Sequence, residues 1–212
     1  MTKTIAGTPV DKAGTILSPA IWDALAHEYL RAVGDTHQDL VAVSNAQSLG
    51  DYVDLQVEGG ERPHPNSGDS TFEYRHAGAW WCESRDPEPY ADLDELARAW
   101  AVTTVFVSNQ YCDHPVWSVR QNVKFRIWHD THHVVTRNGF DPDGELRVFA
   151  HAAKELDGEC WDDTGALIDA LFCESVYQLA ACLHLGGFPD RQAVRTPGRA
   201  GRRVLELLLE IA

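Results

Sequence analysis

Across 212 residues, 32 acidic side chains stand against 18 basic ones, a formal charge of −14, with 44% hydrophobic and 24% charged residues. The acidic excess excludes a general nucleic-acid binder, which needs a basic footprint to neutralise phosphate. The apolar content excludes a disordered or fibrous chain, and the length suits one sizeable core, read as a single domain over residues 1–212.

The five cysteines, Cys82, Cys112, Cys160, Cys173 and Cys182, are odd in number and show no CxxC spacing. Neither a disulfide framework nor a zinc ribbon is indicated. No leader-like apolar run opens the chain, and no segment reaches the roughly 18 apolar residues of a membrane span. The expectation is a cytoplasmic protein without membrane contact.

In chain order, Ser18 and Pro19 supply an N-cap and a first-turn proline for a helix over Ala20–Val33, with Ile21, Leu25 and Leu30 on its apolar side. Its His27-Glu28 pair reads as part of a solvated face. Asp39–Val57 predicts a second helix, whole or broken, through Leu49. Residues 57–85 read as an irregular or β-containing insertion. Within it Gly59–Ser70 is a loop by composition, and Thr71–Trp81 alternates enough for one or two short strands. Leu93, Leu96, Ala97 and Trp100 recur at helical spacing behind acidic first-turn residues, so Asp92–Val102 is a helix. After the β-branched Thr103–Val107 and the loop Tyr111–Pro115 comes a central helix, Val119–Val135.

Asn138-Gly139 marks a turn, and Asp141 and Pro142 open a helix that carries Glu145, His151 and Glu155. Thr164–Leu185 is apolar nearly all round, the mark of a buried central helix. It carries Glu174 and Gln178 one turn apart, and a carboxylate in such a helix is seldom left unpaired. Residues 190–212 form an Arg-rich segment (Arg191, Arg195, Arg199, Arg202, Arg203) with a last helix, Arg202–Ile211. These arginines are either a solvated helix flank or a contact for a phosphate-bearing ligand. The fold expected is mainly α, a single-domain, bundle-like helical core with a small irregular or β-containing insertion.

The chemistry concentrates in the central helix. At 100° per residue Asn122, Arg126, His129 and His133 fall on one stripe. His129 and His133 have the i, i+4 spacing by which two imidazoles of one helix grip a single ion. Asp130 stands where the zinc-peptidase helix motif has Glu, one methylene shorter, and is the candidate general base or orienting group. Arg126 is either a binder of an anionic group or the partner of Glu174. Glu145, His151 and Glu174 complete the candidate ligand set. Glu145 and His151 lie about 240° apart on their helix, so one ion takes one of them. Asn122, His132 and Gln178 are candidate positioning groups.

Nitrogen and oxygen donors without thiolate fit a divalent metal, iron or manganese before zinc, in a non-haem carboxylate centre between helices. Paired Glu-x-x-His motifs are missing, which separates the chain from ferritin-like proteins. The rival is a zinc hydrolase in which His129, His133 and a carboxylate hold the ion that activates water. Agreement with HD-type phosphohydrolases is limited to one dipeptide, and Cys112 beside His114 reads as an accident of sequence.

Glu88-Pro89-Tyr90, His114-Pro115, Asn122-x-x-Phe125-Arg126-x-x-His129-Asp130, Phe140-x-x-x-Gly144-Glu145, His151, and Glu174 followed by Gln178 together resemble a largely uncharacterised family of bacteriophage and mobile-element proteins. The resemblance spans residues 88–178. Many members carry a Gly-His just after the position of His133, so here His132 and His133 compete for that role. The resemblance implies a phage or prophage origin, hence the cytoplasm of a bacterial host, and a recurring polar constellation, but no particular activity. Two function classes follow. One is a metal-dependent oxidoreductase or hydrolase acting on a small-molecule or anionic substrate. The other is a non-catalytic protein that binds a host or virion partner through its acidic surface, and a homo-oligomer is open under either class. The enzyme reading expects His129 and Glu174 to face each other across one pocket.

Overall fold

The computed structural model describes residues 16–35, 39–63, 70–102, 104–110, 113–158, 163–189 and 191–210. Its helices are α1 (Pro19–Gly34), α2 (Leu40–Gln56), α3 (Leu93–Ala101), α4 (Val119–Thr136), α5 (Pro142–Gly158), α6 (Thr164–Phe172), α7 (Gln178–Leu185) and α8 (Arg199–Glu210). A π-helical turn, Cys173–Tyr177, joins α6 to α7, so Thr164–Leu185 runs as one helix. The mainly α expectation holds, with a four-stranded sheet as the β-containing part.

That sheet is built from β1 (Glu58–Pro63), β2 (Ser70–His76), β3 (Ala79–Ser84) and β4 (Thr104–Ser108), in the order β1-β2-β3-β4. The first two pairings are antiparallel and the last is parallel, with α3 as the crossover. A two-residue turn, Ala77 and Gly78, closes the β2–β3 hairpin with both φ angles positive. Positive φ at both central positions matches the right-handed twist of the flanking strands. The loop expected over Gly59–Ser70 begins instead as strand β1, whose glycines pair with Tyr74 and Glu73. Residues 64–69 lie outside the described residues.

Helix α2 continues past Leu49 and through Gly50 without a break. Gly50 is there for a close approach: a Cβ would stand 2.7 Å from Trp117 Nε1, which donates to the Ala46 carbonyl. Helix α4 begins in a full capping box between Ser118 and Gln121. It packs against α2, α3, α5 and the sheet, which is why it is buried nearly all round. The core gathers Leu25, Tyr29, Leu49, Tyr52, Trp128, Phe149, Phe172 and Tyr177 from these helices.

Thr164–Leu185 is long and apolar enough to cross a membrane, contrary to the expectation of no such segment, but 83% of that stretch is buried inside the protein. Glu28 is no solvated residue: it is buried and accepts hydrogen bonds from Tyr177 Oη (2.6 Å) and the Ala200 and Gly201 amides of α8. The arginine-rich segment is likewise partly internal. Arg195 bonds the Glu28 carbonyl, and Arg202 grips Asp169 through two bonds of 2.6 and 2.5 Å.

Candidate metal centre

The antiparallel pair α4–α5 brings three of the expected ligands to one point. His129 Nε2 lies 3.1 Å from Glu145 Oε2 and 3.2 Å from His133 Nε2, and His133 Nε2 lies 3.4 Å from the same carboxylate oxygen. Donors bound at about 2.1 Å to one ion stand about 3.0 Å apart along an octahedral edge and about 3.4 Å along a tetrahedral one. All three separations fall in that interval. The His133 side chain is fully buried, whereas those of His129 and Glu145 are 16% and 20% exposed, so the triad is closed on one side and open on the other.

Local sequence sets this triangle. The turn after α4 carries Asn138, whose carbonyl accepts from His133 Nδ1 at 2.9 Å. A carbonyl can only accept, so Nδ1 bears the proton and the neutral ring turns its Nε2 lone pair inward. Phe140 packs on the His133 ring with centroids 4.7 Å apart, and Phe125 stacks on His129 at 6.0 Å. Asp141 accepts from the Asp143 and Gly144 amides and fixes the start of α5. Gly144 matters because a Cβ there would run into the Gly139 carbonyl, so only glycine lets the turn close onto α5. The Phe-x-x-x-Gly-Glu element thus supplies a ring, a close approach and a ligand in six residues.

Two imidazole nitrogens and a carboxylate oxygen converge on one point, a place that favours positive charge. Burial opposes a charged His133, but the adjacent Glu145 carboxylate outweighs it, with help from Asp130, and raises the imidazole to about 9. Burial would likewise raise Glu145, yet His133 and His129 hold it well below the usual carboxylate range. Asp130 is pushed up by burial, with His129 and His133 opposing and Glu145 reinforcing. It is half-buried beside the triad on the same helix.

The other expected ligands sit elsewhere. His151 falls in a second group with His132 and Glu155, apart from Glu145. Of the competing His132 and His133, the latter faces His129 and Glu145. Glu174 does not face His129 across a shared pocket. Its carboxylate meets His114 Nε2 at 3.2 Å and accepts from Gln178 at 2.5 Å, and it lines a cleft with Asn45, Asp169 and Arg195. Between the two lies a stack of rings, His114 on Trp117 (4.2 Å), Trp117 by Phe125 (5.0 Å) and Phe125 on His129.

Arg126 is not the partner of Glu174. It donates to the Ser108 carbonyl at the end of β4 and lies near Asp130, whose carboxyl it helps hold down. Asn122 is buried on α4. By sequence His114 reads only as a neighbour of Cys112, which lies outside the described residues; the signal for it is the His114-Pro115 element of the motif series. Comparison of the chain with family models, with curated proteins and with solved structures finds no match in any of the three.

Proposed function

We propose that His129, His133 and Glu145 hold one divalent transition ion and that the protein is a metal-dependent enzyme, with the α4–α5 pair as its active site. The observation that carries this reading is the triangle of donor atoms, whose sides of 3.1, 3.2 and 3.4 Å suit a single ion. Bound there, such an ion supplies a Lewis acid that makes water nucleophilic near neutral pH. His133 keeps its ligand tautomer through Asn138, the kind of outer hydrogen bond that orients metal-binding imidazoles. Asp130 follows His129 directly and, with its proton affinity raised by burial, is suited to take a proton from water. This arrangement favours hydrolysis, and Arg126 offers positive charge toward an anionic substrate.

A second chemistry has its own support. Two histidines and one carboxylate on one side of an ion, with open positions on the other, are also the donor set of non-haem iron oxygenases. The residues of the phage-family pattern include two of the three donors, His129 and Glu145, as well as Phe140 and Gly144 that shape the site, which supports a shared role across such proteins and a mobile-element origin.

Metal analysis of protein purified without added metal tests the reading. Expected is one equivalent of zinc, manganese or iron at this site, lost in both His129→Ala and Glu145→Gln. Folded wild-type protein whose bound metal is unchanged by these substitutions would sink it. Loaded with zinc, the protein is expected to cleave a chromogenic ester or phosphoester, with Asp130→Asn losing turnover but keeping the ion. Iron-dependent oxygen uptake without hydrolysis would instead select the oxidative chemistry.

A further inference from the structure

His132 follows the same rule as its neighbour but meets a different carboxylate of α5. Its ring is buried, and Nδ1 lies 2.7 Å from the Trp128 carbonyl, so Nδ1 carries the proton. In the neutral ring Nε2 then aims a lone pair at Glu155 Oε2, 3.1 Å away. His151 stands one turn before Glu155 on α5, with its ring centroid 5.5 Å from that of His132. One ligand atom from each of the three lies within 4.8 Å of the others. His151 and Glu155 are exposed, so their side chains have room to turn toward one ion.

Two further observations point to a cation. The second carboxylate oxygen of Glu155 accepts from Tyr52 Oη at 3.2 Å, which holds the group in place from α2 while Oε2 faces the imidazoles. The His114–Glu174 pair gives the contrast. There Nδ1 accepts from the Val116 and Trp117 amides, so Nε2 carries the proton and donates to Glu174. That pair is complete as a neutral histidine hydrogen-bonded to a carboxylate. At His132 the tautomer is reversed, and an acceptor meets an acceptor unless a proton or a metal ion lies between them.

We propose that His132, His151 and Glu155 form a second divalent-metal site between α4 and α5, separate from the His129–His133–Glu145 centre. Imidazole and carboxylate donors without thiolate suit zinc or nickel more than calcium or magnesium. Two of the three donors are exposed, so this site binds more weakly than the first and fills as free metal rises. Occupied, it clamps α4 to α5 at the residue next to His133 and, through Tyr52, to α2.

Equilibrium dialysis of the full-length protein, stripped of metal and titrated with zinc alone, tests this. His129→Ala disables the first centre, and that variant is expected to retain one zinc equivalent. Adding His151→Ala or Glu155→Gln to it should weaken the remaining binding at least about tenfold, the loss that even an outer-shell change can cause. Both second substitutions are at exposed positions, and circular dichroism confirms that the variants are folded. The inference is overturned if His129→Ala protein binds no zinc, or if its remaining zinc is indifferent to both second substitutions. Failure of the first centre alone reads differently: the wild type would then bind one zinc, which His151→Ala removes and His129→Ala does not.

Discussion

Carbonyl oxygens and amide hydrogens at Nδ1 set apart three of the histidines that meet glutamate. Where Nδ1 faces a carbonyl, as at His132 and His133, the neutral ring turns a lone pair outward; where it faces amides, as at His114, the outward nitrogen is a donor. The distinction depends on a single carbonyl at His132 and at His133, and on two amides at His114. Gly144 is the residue on which the first centre most depends without touching it. Gly144→Ala would force the Gly139 carbonyl away and carry the Asn138 carbonyl with it. The expected cost is about 1–3 kcal/mol in urea unfolding, together with weakened metal binding. Glu28 gives a pH test of a different carboxylate. Burial alone would raise it, but Tyr177, the α8 amides and Arg195 outweigh burial and hold it below the usual range. A depressed folded value means that its contribution is fully present above the range where unfolded glutamates ionise. It is lost as pH falls through the lower folded value. Glu28→Gln is therefore expected to cost about 2–4 kcal/mol at pH 7, with the gap to the wild type closing below about pH 4 in denaturant titrations.

At the scale of elements, the helices were legible because their apolar residues recur at the helical period and their ends carry caps: Pro19, Asp92, Ser118 and Asp141 each start a helix within a residue or so of where the sequence places it. The three donors were legible too, since His129, His133 and Glu145 lie on adjacent helices joined by a short turn. What the sequence hid was set by distant partners. Gly50 looks like a helix breaker until Trp117 is laid against it. Strand β1 contains Gly59 and Gly60, poor strand formers that pair because β2 offers its edge. Glu174 looked like a ligand because it is a buried carboxylate, and nothing local shows that His114, 60 residues earlier, completes it. The π turn at Cys173–Tyr177 has no composition signal either. It aims Tyr177 at Glu28 and at the Gly198 amide, and thereby seats the start of α8. A Cβ on Gly201 would meet the Tyr177 hydroxyl. Gly201→Ala should unseat α8 at a cost of about 1–3 kcal/mol, visible as early amide exchange confined to residues 199–210.

For the whole molecule, a bound ion is a stabiliser of the folded state alone. At a free concentration one hundred times its dissociation constant, one site adds about 2.7 kcal/mol. In a chain of this size that raises the melting temperature by roughly 5–10 °C. Zinc or manganese is expected to produce this shift in thermal melts, a chelator to reverse it, and His129→Ala to remove most of it. An unchanged melting temperature at saturating metal would mean that the folded and unfolded chains bind it alike. The donors of the first centre all belong to one helical hairpin, from His129 in α4 to Glu145 in α5. Closing a loop that short costs little chain entropy, whereas ligands drawn from remote segments meet only after the chain has largely collapsed. An ion can therefore grip this hairpin before α1, α8 or the sheet has docked. Its effect should show in the speed of refolding and not only in the slowness of unfolding. In stopped-flow experiments, metal added to the refolding buffer is expected to accelerate folding of the wild type and to do so much less in His129→Ala, which makes the α4–α5 hairpin the place where metal supply sets the pace at which the chain reaches its structure.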